Sequence, residues 1–250
     1  MESQPETMKV ALVHEWLINF RGSEKVLLEL ARMFPDAVIY ASVLRRSELP
    51  GELADRNIRT TFIQRLPWAH RLYQKYLFLM PLAYARLDMS QYDLVITSSH
   101  ACANGVRPRR GAMHVSYCYT PMRYAWSGYE DYRNSLRSPI ARVIMSVMMR
   151  WMRRWDYAAA QRVTRYIACS SAVSDRIKTG LLTPCRHTDE DRHSFRRTDS
   201  RGGCAGHRTP GTDKLSRRSI RQHASQFSPA AFRSAILKSI QTIMRGDRQL

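Results

Sequence analysis

The feature that most constrains the fold is a series of short apolar segments separated by stretches of helical periodicity. The apolar segments are four to six residues long and lie at residues 10–13, 37–41, 58–63, 93–97, 113–118 and 165–169. Between the first two, apolar residues recur at helical spacing, at Val26, Leu27, Leu30, Ala31 and Phe34. Uniformly apolar strands that alternate with helices predict a parallel sheet covered on both faces. The expected fold class is α/β, with a Rossmann-like parallel sheet.

This pattern predicts one domain over residues 9–178. Longer helices are expected at residues 68–86 and 139–162, and a further helix begins at Ser171. In sheets of this class, ligands bind where the strands end at their carboxyl side. The polar residues that follow the strands, such as His100 beside Ser98 and Ser99, are therefore candidates for a binding site.

The sequence changes character after Lys178. Residues 183–219 show no period of 2 or 3.6, and only five of these 37 positions are apolar: Cys185, Phe195, Cys204, Ala205 and Leu215. Such a segment buries too little apolar area to offset its ordering entropy, so we predict a largely disordered basic stretch over residues 179–226. A short helix is expected over 227–245, with Ser228 as N-cap and Pro229 at its first position.

The chain is strongly basic, with a formal net charge of +19, and arginine dominates over six lysines. One interpretation is a non-catalytic or nucleic-acid-binding basic protein, in which arginines contact phosphates. The basic stretch lacks the interleaved aromatic residues of single-strand binders, and no nucleic-acid module is present. We therefore expect no nucleic-acid partner. The oligomeric state is left open by the sequence.

Cysteine and histidine usage bears on compartment and metals. The five cysteines are widely spaced, and the amino terminus shows neither a basic nor an apolar targeting segment, which favours a reducing cytoplasmic location. The residues with ligating side chains in the basic stretch are Cys185, His187, His193, Cys204 and His207. Their spacing fits no paired zinc pattern, so we expect no metal.

Several motifs carry a specific resemblance. The first apolar segment is followed by His14-Glu-Trp-Leu and by Arg21-Gly-Ser-Glu-Lys, which leads into a helix. Three further segments lie at Phe34–Tyr40, Tyr92–Ala101 and Tyr117–Trp126, the last reading Tyr-Cys-Tyr-Thr-Pro-Met-Arg-Tyr-Ala-Trp. In order and spacing these segments resemble the retaining glycosyltransferases of family 4. The resemblance implies the N-terminal, acceptor-side half of a GT-B fold.

The resemblance also implies a site. Gly22, Ser23 and Glu24 would form the loop that faces the acceptor and the donor phosphates, where a helix start attracts anions. Tyr119 stands at the position of the family's histidine near the transferred sugar. The implied cleft-lining residues are Ser99, His100, Thr120, Pro121, Arg123 and Tyr124. The substrates would be a nucleotide-diphosphate sugar and a glycan or lipid-linked acceptor of surface polysaccharide synthesis, with no cofactor; the nearest subgroup makes GDP-mannose a candidate donor.

Three positions depart from the family pattern. Tyr119 replaces the histidine, and its ordinary pKa near ~10 prevents it from titrating near pH 7. Ser127 stands where an aspartate usually follows the tryptophan, and Asn104 stands where a lysine usually precedes Gly105. These changes indicate relaxed selection or a different acceptor.

The donor-binding half of such enzymes carries a pair of glutamates eight residues apart. From Tyr132 onward this chain has a single glutamate, Glu190, so the pair is absent. The resemblance of residues 227–233 to the helix that ends the family's second domain suggests an internal deletion with a shifted reading frame. We expect the isolated chain to be inactive for that reason.

Two segments bear on membrane contact. Residues 68–80 are aromatic and basic, and residues 140–157 combine bulky apolar side chains with four arginines, Arg142, Arg150, Arg153 and Arg154. A basic helix of this kind can lie in the headgroup plane of an anionic membrane. The alternative is a helix that packs on the core and turns a solvated face outward. Lipid-linked acceptors in the family favour peripheral attachment at the cytoplasmic face of the inner membrane.

Overall fold

The computed structural model describes residues 8–182 and 229–245. Six strands form one sheet: β1 Val10–His14, β2 Val38–Ala41, β3 Ile58–Thr60, β4 Leu94–Ser99, β5 Met113–Cys118 and β6 Arg165–Ala168. Every pair is parallel, in the order β3-β2-β1-β4-β5-β6. This is the doubly wound order, and it confirms the predicted Rossmann-like α/β class. The segment predicted to be disordered covers residues 179–226. Its first four residues lie in a helical turn, Ile177–Leu182, and the rest of it lies outside the described residues.

The helices follow the strands along the chain. They are α1 Gly22–Met33, α2 Gly51–Ala54, α3 Ala69–Leu72, α4 Met80–Ala85, α5 Tyr129–Ser135, α6 Pro139–Ala160, α7 Ser171–Arg176 and α8 Pro229–Met244. A π-helix, Ile177–Leu182, continues α7. The Ser138 hydroxyl caps α6 by accepting from the Ala141 N–H at 3.4 Å, and Pro139 occupies the first position, where a proline is tolerated.

Two predicted elements are wrong in extent. The strand expected over residues 58–63 ends at Thr60, because the Thr61 hydroxyl accepts the Ile63 N–H at 3.3 Å and starts a 3-10 turn. The helix expected over residues 68–86 is broken into two short helices and a 3-10 turn. Trp68 before α3 adopts the left-handed region with φ +48°, and Pro81 in α4 cannot donate to a preceding turn.

The sheet separates two hydrophobic cores, because successive side chains of each strand point to opposite faces. On one face, Ala11 and Val13 of β1 pack with residues of α4 and α6, including Met80, Tyr84, Met149 and Met152. On the other face, Val10 and Leu12 pack with residues of α1 and α8, including Leu27, Leu30, Ile236 and Ile240. Both faces of β1 and β4 are therefore buried, which explains their uniformly apolar sequence.

Helix α8 covers part of the second core although it lies far along the chain. Ile236 and Ile240 are buried in that core. The Arg233 guanidinium donates to Glu29 of α1 at 2.8 Å, and the Phe232 ring lies edge-on to Tyr117 of β5 with centroids 5.4 Å apart. The sheet thus provides the neighbour that covers the apolar stripe of this helix.

Gly105 allows α6 to approach the loop after β4. A Cβ added at Gly105 would lie 2.5 Å from Trp155 Cζ2, closer than two carbons can approach. We expect Gly105→Ala to lower the free energy of unfolding by about 1–3 kcal/mol, measured by urea denaturation, because Trp155 must leave its place in the core. Gly51→Ala, where an added Cβ meets only the Asp55 carboxylate at 3.8 Å, is the control. An unchanged unfolding midpoint in Gly105→Ala would contradict this account.

Candidate functional site

The carboxyl ends of the central strands form the candidate site. β2 lies on one side of β1 and β4 on the other, so the connections that leave β1 and β4 cover opposite faces and open a crevice between them. In this register His14 pairs with Ser98, and Ser98 pairs with Tyr117. The last residues of three strands are therefore brought together at one edge of the sheet.

A buried carboxylate joins the loops after β1 and β4. Glu15 is fully buried, and its two oxygens accept from one hydroxyl and four consecutive backbone N–H groups: Ser99 Oγ at 2.9 Å, and the N–H of His100 at 3.2 Å, Ala101 at 2.8 Å, Cys102 at 3.0 Å and Ala103 at 3.0 Å. Hydrogen bonds to an ionised acceptor are about twice as strong as neutral ones. Glu15 therefore fixes the loop that carries His100.

A chain of hydrogen bonds crosses the bottom of the crevice from β1 to the start of α1. His14 Nδ1 lies 3.0 Å from Ser98 Oγ, and Ser98 Oγ lies 2.9 Å from the Tyr119 hydroxyl. The Tyr119 hydroxyl donates to the Ser23 carbonyl oxygen at 3.1 Å. Because Tyr119 donates to Ser23, it accepts from Ser98, and Ser98 accepts from His14 Nδ1–H. The four groups thus form a chain whose donors all point the same way.

Glu24 places a negative charge beneath the first turn of α1. One oxygen accepts the Arg21 N–H at 2.9 Å, and the other lies 3.7 Å from His14 Nε2. Burial raises the pKa of Glu24, but the interactions with His14 and with the backbone N–H groups of Glu24 and Arg21 lower it more, to about 2. Glu24 is therefore ionised at neutral pH, and it offsets part of the attraction of this helix start for anions.

Aromatic rings surround His100 at the edge of the crevice. Its ring lies edge-on to Trp16 at a centroid distance of 4.7 Å and to Tyr119 at 6.2 Å, and Trp16 in turn packs on Tyr73 at 4.8 Å. Burial lowers the pKa of His100 despite the opposing charge of Glu15, and burial raises the pKa of Tyr119. Both side chains are therefore uncharged at pH 7. Each presents an apolar ring together with a polar atom that can form hydrogen bonds.

The structure brings together six of the residues predicted from the sequence: Gly22, Ser23, Glu24, Ser99, His100 and Tyr119. The remaining four lie on the following loop. The Thr120 hydroxyl donates to the carbonyl oxygen of the buried Pro121 at 3.1 Å, Arg123 is exposed, and Tyr124 packs on the Tyr132 ring at 4.8 Å. Within the described residues no hydrogen bond links these four to the His14–Tyr119 chain.

Asn104, at one of the positions that depart from the family pattern, has a structural role. Its side-chain oxygen accepts from the Thr97 hydroxyl at 2.6 Å and from the Ser116 hydroxyl at 2.8 Å. The Asn104 side chain is buried and links β4 to β5 behind the crevice. A lysine at this position would place a charge where these two hydroxyls need an acceptor.

The fold and the crevice define a doubly wound α/β protein with a candidate ligand site at the sheet's switch point. Residues 20–186 match the family model described as Glycosyltransferase Family 4. The match covers more than half of the chain, and the chain belongs to this family. A comparison with curated proteins found no match, and neither did a comparison with solved structures.

No helix in residues 8–182 and 229–245 is long and apolar enough to cross a membrane. The same residues contain no cluster of three or more histidine, cysteine, aspartate or glutamate side chains that could hold a metal ion. The cysteines and histidines considered as metal ligands in the sequence, Cys185 to His207, lie outside the described residues.

Proposed function

We propose that this chain provides the acceptor side of a retaining sugar transfer from a nucleotide-diphosphate sugar to a glycan or lipid-linked acceptor in surface polysaccharide synthesis. GDP-mannose is the donor that we would test first. The observation that carries the proposal is the convergence of Ser23, Ser98, His100 and Tyr119 at the switch point, on a chain of this family. We further propose that the chain alone binds its acceptor well and its donor weakly.

The charge of the crevice supports an acceptor hydroxyl as the ligand of the first turn of α1. Glu24 is ionised under that turn, and a second negative charge there would be repelled. A neutral sugar hydroxyl has no such penalty and can donate to a carbonyl or carboxylate oxygen. The aromatic rings of Trp16 and His100 add the apolar surface on which a sugar ring packs.

The fixed geometry would contribute chiefly by orientation. Glu15 holds the loop of His100, and the hydrogen-bond chain holds the Tyr119 hydroxyl against Ser23. When an acceptor is held in a fixed position, part of the entropy cost of bringing two reactants together is met as the acceptor binds. This lowers the barrier to group transfer by a large amount. Because the Tyr119 hydroxyl keeps its proton at neutral pH, we assign Tyr119 to positioning the acceptor rather than to proton transfer.

Peripheral attachment at the cytoplasmic face of a membrane is part of the proposal. Helix α6 supports it, because five large apolar side chains of that helix are at least half exposed: Ile140, Val143, Ile144, Val147 and Trp151. Of the two alternatives for this helix, core packing and membrane contact, the structure has features of both, since Met149 and Met152 on another side are buried.

Calorimetric titration of the full chain tests the proposed function. The probes are GDP-mannose, UDP-glucose, and a mannobiose linked through pyrophosphate to a short polyprenyl chain. Binding of the lipid-linked disaccharide with weak or absent binding of both nucleotide sugars supports the proposal. Tight binding of a nucleotide sugar would overturn the assignment to the acceptor side, and binding of none of the three probes would contradict a role in this transfer.

Gly22 offers a sharp test of where the acceptor lies. An added Cβ at Gly22 meets no atom within 4 Å, so Gly22→Ala is expected to keep or raise the free energy of unfolding by up to about 1 kcal/mol. The same methyl group would project into the space above the first turn, and we expect binding of the lipid-linked disaccharide to weaken. Gly51→Ala, also at the first residue of a helix, is the matched control. Equal binding by both variants would place the acceptor elsewhere.

A further inference from the structure

A second pocket lies between α5 and α6, built from residues that the crevice does not use. Its volume is about 240 Å³, and it is lined by Tyr129, Arg133, Ser146, Arg150 and Arg153. Three of the five lining side chains are guanidinium groups. A pocket of this composition has the chemistry of an anion site, because guanidinium groups match phosphate oxygens in charge and in geometry.

Neighbouring groups hold the pocket in shape. The Tyr129 hydroxyl donates to Ser146 Oγ at 2.8 Å, and Ser146 donates to the Arg142 carbonyl oxygen at 2.8 Å. The Arg153 guanidinium carbon lies 4.7 Å from the centroid of the Tyr129 ring, and its Nε donates to the Ala125 carbonyl oxygen. Both hydroxyls and Arg153 are thus tied to the framework, and the pocket wall is preorganised.

The pocket carries an excess of positive charge. Arg133 lies 4.0 Å from Glu130, at the limit of an ion pair. Arg150 is exposed, and within the described residues no carboxylate is paired with it. Among the described residues that line the pocket, three carry guanidinium groups and none carries a carboxylate, which favours a bound anion.

The pocket borders the exposed apolar stripe of α6. The stripe consists of Ile140, Val143, Ile144, Val147 and Trp151, which are 50–72% exposed. Arg150 follows Val147 by one turn and Val143 by two, so its side chain stands at the edge of the stripe. Exposed apolar patches of this kind on a folded protein mark a surface that contacts something apolar.

We propose that this face binds an anionic membrane surface, with a lipid phosphate in the arginine pocket and the apolar stripe against the acyl boundary. One ligand class satisfies both halves of the surface, because a phospholipid joins a phosphate to hydrocarbon within one molecule. Free phosphate would use the pocket and leave the stripe exposed. A purely apolar partner would leave three guanidinium groups facing it.

Co-sedimentation of the full chain with vesicles tests this binding site. The vesicles are phosphatidylcholine alone and phosphatidylcholine with phosphatidylglycerol. We expect binding to the mixed vesicles only, and Arg150→Gln should weaken it about fivefold or more. Arg110→Gln is the matched control, since Arg110 is exposed in the loop before β5, at the other end of the sheet. Val147→Ser should also weaken binding, with Leu237→Ser, a 46% exposed leucine of α8, as its control.

Each outcome decides the inference. If Arg150→Gln and Arg110→Gln weaken vesicle binding equally, the loss reflects the general charge of the protein, and the proposed site is overturned. Equal binding to both vesicle types would remove phosphate recognition. Tight calorimetric binding of inorganic phosphate with no vesicle binding would assign the pocket to a soluble anion instead of a lipid.

The inference deepens the proposed membrane attachment and is separable from the proposed transfer. The pocket residues do not belong to the crevice, so the Arg150→Gln variant is expected to bind soluble mannobiose, without pyrophosphate or polyprenyl, as the unaltered chain does. Vesicle binding without sugar binding would leave the lipid site standing and contradict the transfer. Sugar binding without vesicle binding would support the proposed transfer and contradict the lipid site.

Discussion

Replacing Glu15 with glutamine is expected to lower the free energy of unfolding by about 3–5 kcal/mol, the cost of disrupting a buried charged network. In the unaltered protein both carboxylate oxygens of Glu15 accept from backbone N–H groups. In either orientation of the new amide, its NH2 group therefore faces N–H donors that have lost their acceptor. Those donors are then buried without an acceptor, at about 1–3 kcal/mol each. The loss is a large share of the stability of an ordinary domain.

Urea denaturation followed by circular dichroism measures this loss. Ser99→Ala provides a milder variant for the case in which Glu15→Gln does not fold, because it removes one of the donors to Glu15 and is expected to cost about 1–2 kcal/mol. Glu48→Gln, at an exposed carboxylate 3.4 Å from Arg45, is the control and should stay within about 0.5 kcal/mol. A Glu15→Gln protein as stable as the Glu48→Gln protein would show that the loop is held by other contacts.

Asp156 is expected to destabilise the folded protein at neutral and higher pH. It is buried in α6 and accepts one hydrogen bond, from Trp126 Nε1 at 2.8 Å. Burial raises the pKa of Asp156 from its ordinary 3.8 to about 7, with the hydrogen bond from Trp126 opposing the rise. Between these two values the folded state holds a proton that the unfolded state has released. The free energy of unfolding therefore falls as the pH rises through this window.

Asp156→Asn should remove this fall while keeping the hydrogen bond from Trp126, since the amide oxygen can still accept it. A pKa shift of about three units corresponds to about 4 kcal/mol of unfolding free energy. Relative to the unaltered chain, the variant should gain most of this free energy of unfolding between pH 4 and pH 8. Buried His114, whose pKa is lowered to about 3, titrates in the opposite sense in both proteins. The prediction therefore concerns the difference in unfolding free energy between the two proteins as a function of pH, and not the pH dependence of either protein alone.

Urea unfolding of both proteins at several pH values between 4 and 8 gives this difference. Asp36→Asn, at an exposed carboxylate, controls for the change in net charge. A constant difference across the pH range would mean that Asp156 is ionised in the folded state throughout, and it would contradict the effect of burial.

The sheet was predictable because burial on both faces leaves strands apolar throughout, a pattern that the local sequence shows directly. The breaks at Thr61 and Trp68 were not predictable in the same way. A hydroxyl that caps a turn and a left-handed tryptophan leave the apolar pattern around them unchanged. The docking of α8 on the sheet depends on contacts between Phe232 and Tyr117, more than a hundred residues apart, and such a contact has no local signal.

The candidate site was predictable in part. Gly22, Ser23 and His100 follow strands or start a helix, so topology alone brings them to one edge of the sheet. The role of Glu15 is not predictable from the sequence, because most of its partners are backbone N–H groups, which carry no side-chain signature. An acidic residue directly after a buried strand was the one available signal. Tyr119 directly follows β5 and therefore reaches the same edge of the sheet, but its link to Ser98 and Ser23 depends on strand register.

Helix α8 has a consequence for the order in which the protein is made. When β6 leaves the ribosome all six strands have been synthesised, yet Ile236 and Ile240, which cover one face of the sheet, come more than sixty residues later. Synthesis at about 5–20 residues per second leaves that face uncovered for several seconds. During this interval the nascent chain presents an apolar surface around α1 and β5, which is a site where chaperones would bind and where aggregation would start.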